Sequence, residues 1–174
     1  MNATSAVAVT CVAAALVAGC GGGSKHSAQT PTLNTTTPST DADAQESLQR
    51  AVRVAVNQNF RLSLYVLWHN RVPSWAQRST VGPALAALRA SAASRQRRGI
   101  QVRSQRGHYT ILRVQVDPSY THATALVRDQ RRVFPYQAGK RLGRAIAVDD
   151  HARVELKRVG GTTRFVVWRV RPVR

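Results

Sequence analysis

Three ionisable side chains stand where alternating apolar and polar residues would carry them toward a protein interior. His108 shares the parity of Leu112, Val114 and Val116, His122 that of Thr124 and Leu126, and Asp129 that of Ala123, Ala125 and Val127. Burial on such a face shifts the pKa of a histidine or carboxylate, and general acid–base catalysis exploits that shift. Each has a plainer alternative: a histidine at a strand end sits in water, and Asp129 pairs with Arg131 or Arg132 close by. Other chemistry is poorly supplied. Cys11 and Cys20 are the two cysteines, so the chain after position 20 offers no disulfide, thiolate nucleophile or cysteine zinc ligand. His26, His69 and His151 have no partner at metal-ligand spacing, and neither a metal nor a cofactor is expected. Tyr65, Trp68 and Trp75 are candidates to line the mouth of an apolar pocket.

Charge is the next observation. The chain carries a formal net charge of +18, and after Glu46 there are 25 basic and 5 acidic residues, with arginine far outnumbering lysine. Three clusters are candidate anion sites: Arg95, Arg97, Arg98, Arg103 and Arg106; Arg128, Arg131 and Arg132, with Lys140, Arg141 and Arg144; and Arg169, Arg171 and Arg174. Such a field draws phosphate or carboxylate groups. The competing explanation is an arginine-biased composition spread over a solvated surface.

The address comes from the N-terminus. Ala6 to Gly19 is an uncharged run containing Val7, Val9, Val12, Leu16 and Val17 among alanines, too short to span a bilayer and of signal-peptide composition. It closes on Val17-Ala18-Gly19-Cys20, which resembles the lipobox of bacterial lipoproteins. The resemblance implies cleavage before Cys20, a diacylglycerol thioether on that cysteine, and an extracytoplasmic domain anchored to the cell membrane by lipid. One departure is that Met1 to Thr10 contains no Lys or Arg. Residues 1–19 are then a signal peptide, and 20–44 are a lipidated cysteine with a Gly/Ser- and Thr/Pro-rich tether. Fully extended, that tether reaches on the order of 50 Å or more. Outside the cytoplasm the partners for arginine are anionic lipids, envelope polymers and acidic proteins, a setting that disfavours nucleic acid; the sequence names no particular protein partner.

Residues 45–174 form a single domain. Leu48, Ala51, Val52, Ala55 and Val56 recur at helical spacing, and the helix is expected to reach Asn59 or beyond. Phe60 to Trp68 fits strand alternation and helical spacing alike. Val72-Pro73-Ser74-Trp75 is a turn into a short helix, and Thr80-Val81-Gly82-Pro83 starts a further helix that Gly99 ends, with Val81, Leu85, Leu88 and Ala92 on its apolar stripe and Arg95 off it. Beyond Gly99 the period is two, through Ile100–Ser104, Leu112–Val116 and Thr121–Val133. Ala152, Val154 and Leu156 share a face across Gly160-Gly161 from Val166, Trp168 and Val170, which makes Trp168 a core candidate. Helices followed by a meander predict an α+β domain, its N-terminal helices packed on a curved antiparallel sheet of about four to five strands.

That order, with the Trp-containing closing strand Val166-Val167-Trp168-Arg169-Val170, resembles the NTF2-like (SnoaL-like) superfamily, in which helices cover a bent sheet to make a cone. A cystatin-like fold is the alternative, but the helical stretch from Val81 to Arg98 argues against its single helix. The resemblance implies either a non-enzymatic binding or scaffold module, the leading expectation, or a small-molecule lyase or isomerase using an inward acid or base. An inward carboxylate or histidine in a closed pocket would favour the enzyme, and an open or filled cone the binding module.

Overall fold

The computed structural model describes residues 40–173. The segment expected as a lipobox, with Cys20, and the expected tether up to Ser39 lie outside them, as do Arg174 and the side chain of Arg106. Helix α1 runs from Thr40 to His69, so the last residues assigned to the tether, Thr40 to Ala44, are helical, with Asp41 and Asp43 in the first turn where the helix dipole favours acidic groups. Phe60 to Trp68 is helix, not strand. Leu62 and Val66 are fully buried against Ala76, Leu85 and Ala92, whereas Leu48, Val52, Ala55 and Val56 pack on the sheet. The alternation misleads here because neighbours flank the second half of α1 on several sides, leaving Arg61 and His69 as its exposed positions. Among the described residues no helix is long and apolar enough to cross a membrane.

A 3₁₀ turn, Ser74–Arg78, leads into α2, Gly82–Arg97, which has Pro83 in its first turn and stops at Gly99 in the left-handed conformation (φ 62°). Between them Ser79–Val81 lies along the sheet edge: the Val167 amide donates to the Ser79 carbonyl (2.8 Å) and the Val81 amide to the Val167 carbonyl (2.9 Å). Thr80, fully buried, donates from Oγ1 to Asn59 Oδ1 of α1 (2.9 Å), tying both helical segments to that edge. Arg95 is not the surface residue expected from its place off the apolar stripe. It is 8% exposed, donates to Asn70 Oδ1, Ser91 Oγ and the Val66 carbonyl, and so clamps α2 to the end of α1.

The sheet comprises β1 (Ile100–Val116), β2 (His122–Gln137), β3 (Lys140–Arg141), β4 (Ile146–Arg158) and β5 (Phe165–Val173), all antiparallel, in the order β1-β2-β4-β5 with β3 pairing on β2. The molecule is thus α+β, with two helices on one face of an open antiparallel sheet. The two stretches expected as separate strands are one long β1, interrupted by register shifts between Gln105 and Gly107 and between Ile111 and Arg113. The second shift inverts parity: Tyr109 and Ile111 pack on the core together with Val114 and Val116, while Leu112 is 48% exposed. A similar shift between Glu155 and Leu156 leaves Trp168 as the extra residue of β5. Phe165 and Val167 therefore enter the core, and Trp168 lies half-buried at the edge under the Lys157 ammonium, 3.6 Å from its ring centroid.

Candidate ligand-binding cleft

Between the helices and the inner face of the sheet lies a cleft of about 530 Å³. Phe60 from α1, Ala84, Ala87 and Leu88 from α2, and Val127, Val170 and Pro172 from the sheet give it apolar walls. Its dimensions suit a small molecule, and its lining, mostly apolar with a few polar groups, is the composition that fixes a ligand's orientation.

Its ionisable groups come from the sheet: Tyr109 of β1, Asp129 and Arg131 of β2, Asp150 and His151 of β4 and Arg169 of β5. Asp129 and Arg131 are two residues apart on β2, hence on one face, and Arg131 Nη2 lies 2.9 Å from Asp129 Oδ2 with the side chains only 14% and 16% exposed. Asp129 faces Tyr109 of β1 and Asp150 of β4 in the strand register. Burial raises the Asp129 pKa against the opposing pull of Arg131, and the Asp150 charge adds to the rise. Burial also raises the Tyr109 hydroxyl well above its ordinary value, with Asp129 reinforcing it. Phe60 stacks on Tyr109 (centroids 4.0 Å, interplanar angle 17°), and the Arg131 guanidinium lies 5.7 Å from the Phe60 ring centre. Asp129 Oδ1 and Arg131 Nε and Nη1 make no hydrogen bond among the described residues. Unmet donors and acceptors each cost about 1–3 kcal/mol in a dry setting.

The fold separates the three acid–base candidates. Asp129 enters the cleft, as its parity predicts. His108 pairs with Gln130 on the outer face and is exposed, because the shift at Leu112 breaks the alternation that pointed it inward. His122 is exposed at the β2 start, its Nδ1 2.9 Å from Thr121 Oγ1 and 3.5 Å from Asp117 Oδ2. Neither histidine reaches the cleft.

Tyr65, Trp68 and Trp75 also do not line it. Tyr65 packs on His69 and edge-on to Trp75, and Trp68 meets Tyr136 edge-on while Arg103 lies over it at 4.1 Å. They close the far end of α1, where its apolar surface would otherwise meet water. Of the arginine candidates, Arg97, Arg98 and Arg132 are exposed, with Arg98 Nε donating to the Ser94 carbonyl (3.3 Å). Arg128 makes two bonds to Asp149 (2.8 and 2.7 Å), and Arg131 is committed to Asp129.

Phe60, Tyr109 and Asp150 were not legible as site residues. Tyr109 shares parity with Ile111, a signal obscured by reading Leu112 as inward, and the meeting of Tyr109, Asp129 and Asp150 is a property of strand pairing across three strands.

No family model and no curated protein matches the chain. Among solved structures, the intermembrane space region of the chloroplast protein ARC6 is similar in fold, with a TM-score of 0.61 and 10% sequence identity over 72% of this chain and 95% of that one. At that identity the likeness concerns the fold alone.

Proposed function

We propose that this chain is a lipid-anchored cell-envelope lipoprotein whose domain is a cone of the NTF2-like type that acts as a non-enzymatic binding module. The cleft between the helices and the sheet carries the reading: it is about 530 Å³, apolar in its walls and polar at the Asp129–Arg131 pair. Asp129 is held by the Arg131 guanidinium beside Tyr109, and this pair supports a site that orients the polar end of a ligand. The lipobox supports the anchor and the extracytoplasmic address.

The lyase or isomerase reading draws on one specific observation, the inward Asp129 with its raised pKa beside Tyr109. A panel of uncharged amphipathic compounds separates the two. Under the binding reading some compounds raise the melting temperature of the protein and are recovered chemically intact after long incubation. A compound consumed by the wild type but not by Asp129→Asn establishes the enzyme instead, and a panel with no thermal effect and no turnover removes the cleft as a small-molecule site.

A further inference from the structure

The face of the sheet turned away from the helices carries arginines that the strand register gathers into one patch. Arg113 of β1, Leu126 of β2, Arg153 of β4 and Arg171 of β5 are successive partners across the sheet, a single cross-strand row. Arg153 and Arg171 are therefore direct neighbours of like charge, which weakens a sheet. Arg132 lies further along the same face of β2, paired across to Gln105 and Ala147. The nearby acids are already used: Asp149 takes Arg128 and Gln130, and Glu155 takes Arg169 at 3.8 Å and Arg171 at 3.1 Å. Arg113, Arg132 and Arg153 are exposed and have no acidic partner among the described residues. Between Arg113 and Arg153, about 10 Å apart by strand spacing, Gln115, Thr124 and Leu126 floor a shallow depression. Exposed Leu112 stands beside Arg113 at the β1 shift.

We infer that this outer sheet face docks the domain onto the phosphate-bearing surface of an anionic bilayer, with Arg113, Arg132 and Arg153 as its unpaired charges and Leu112 at the interface. Charge complementarity selects the partner: a fixed array of unneutralised guanidinium groups over a broad open face meets many phosphates at once, as a lipid surface offers them. Leu112, the exposed residue beside Arg113 at the β1 shift, adds an apolar group that a bilayer interface accommodates. The cleft lies on the other face of the sheet and stays free for its occupant. The docking does not depend on the lipid anchor, because the arginines belong to the folded domain.

The full chain carrying Cys20→Ser tests this without the proposed acyl group, by sedimentation with vesicles of phosphatidylglycerol mixed with phosphatidylcholine and with vesicles of phosphatidylcholine alone. Binding to the anionic vesicles is expected, weakening as salt shortens the screening length. Replacing Arg113, Arg132 and Arg153 together by Gln is expected to weaken it about a hundredfold, since each surface-bound charge contributes about fivefold. Replacing them by Lys is expected to retain most of it. The same loss of charge on the helices, with Arg53, Arg61 and Arg89 to Gln, is expected to change binding by less than about threefold. Equal losses from the two triple-Gln variants, with unfolding curves unchanged, overturn the face assignment in favour of diffuse net charge. Loss of binding in the Lys variant, or displacement by inorganic phosphate at matched ionic strength, overturns it in favour of a discrete phosphate site. Tighter binding to a soluble phosphate polymer than to vesicles overturns the bilayer as partner.

Discussion

At the residue scale the cleft's ion pair is the most consequential feature. Asp129 and Arg131 have left most of their hydration behind, and three of their polar atoms have no partner among the described residues. Removing one member strands the other's charge, whereas replacing both with apolar residues of similar volume is often neutral or stabilising. Asp129→Asn is therefore expected to destabilise by about 3 kcal/mol, and Asp129→Leu with Arg131→Met by much less. A double-mutant cycle from urea unfolding checks the difference. Asp149, on the opposite face, behaves in the contrary sense: the bidentate hydrogen bonds from Arg128 lower its pKa to about 2, and Gln130 adds to the effect. Its folded pKa lies below the unfolded value, so the stabilising contribution is present above about pH 4 and is lost as pH falls through the folded value. Carboxyl NMR titration should find a midpoint near 2 that rises toward the ordinary aspartate value in Arg128→Gln.

At the element scale the sequence was most readable where single residues punctuate it. Pro83 and Gly99 bracket α2 because one cannot donate a backbone bond and the other accepts a left-handed conformation. It was least readable where a strand gains one residue. The shift at Leu112 turns His108 outward and brings Tyr109 in, and the shift opposite Glu155 moves Trp168 out of the core that its parity had given it. A bulge changes every orientation beyond it and leaves little mark on composition. Asp129 was legible because β2 pairs with β4 without such a shift. The burial of Arg95 was not, since its acceptors, Asn70 and the Val66 carbonyl, lie far back along the chain. Gly82 shows how tightly the elements are joined: its φ is +54°, and a Cβ there would run into the ring of Trp168. Gly82→Ala is expected to cost more than the ~1–2 kcal/mol of a left-handed alanine alone, because the indole must also move. Gly82→Ala in a Trp168→Ala background should recover that excess, measured by denaturant unfolding.

At the scale of the whole molecule, the proposed arrangement divides the work: the lipid would hold, the sheet surface orient and the cleft bind. The anchor is checked by metabolic labelling with a fatty-acid analogue, where the mature chain is expected to carry label and Cys20→Ser to lose it. The cleft is the central claim, and plugging it tests that claim most directly. Ala87 lines it from α2, so Ala87→Trp places an indole in the cavity. Titration with the uncharged fluorophore Nile red is expected to show saturable binding with a blue-shifted emission for the wild type and at least about tenfold weaker binding for Ala87→Trp, a loss of about 1.4 kcal/mol, with the melting temperature unchanged. Identical titrations of the two proteins would show that the apolar site lies elsewhere and would contradict the cleft as the seat of binding.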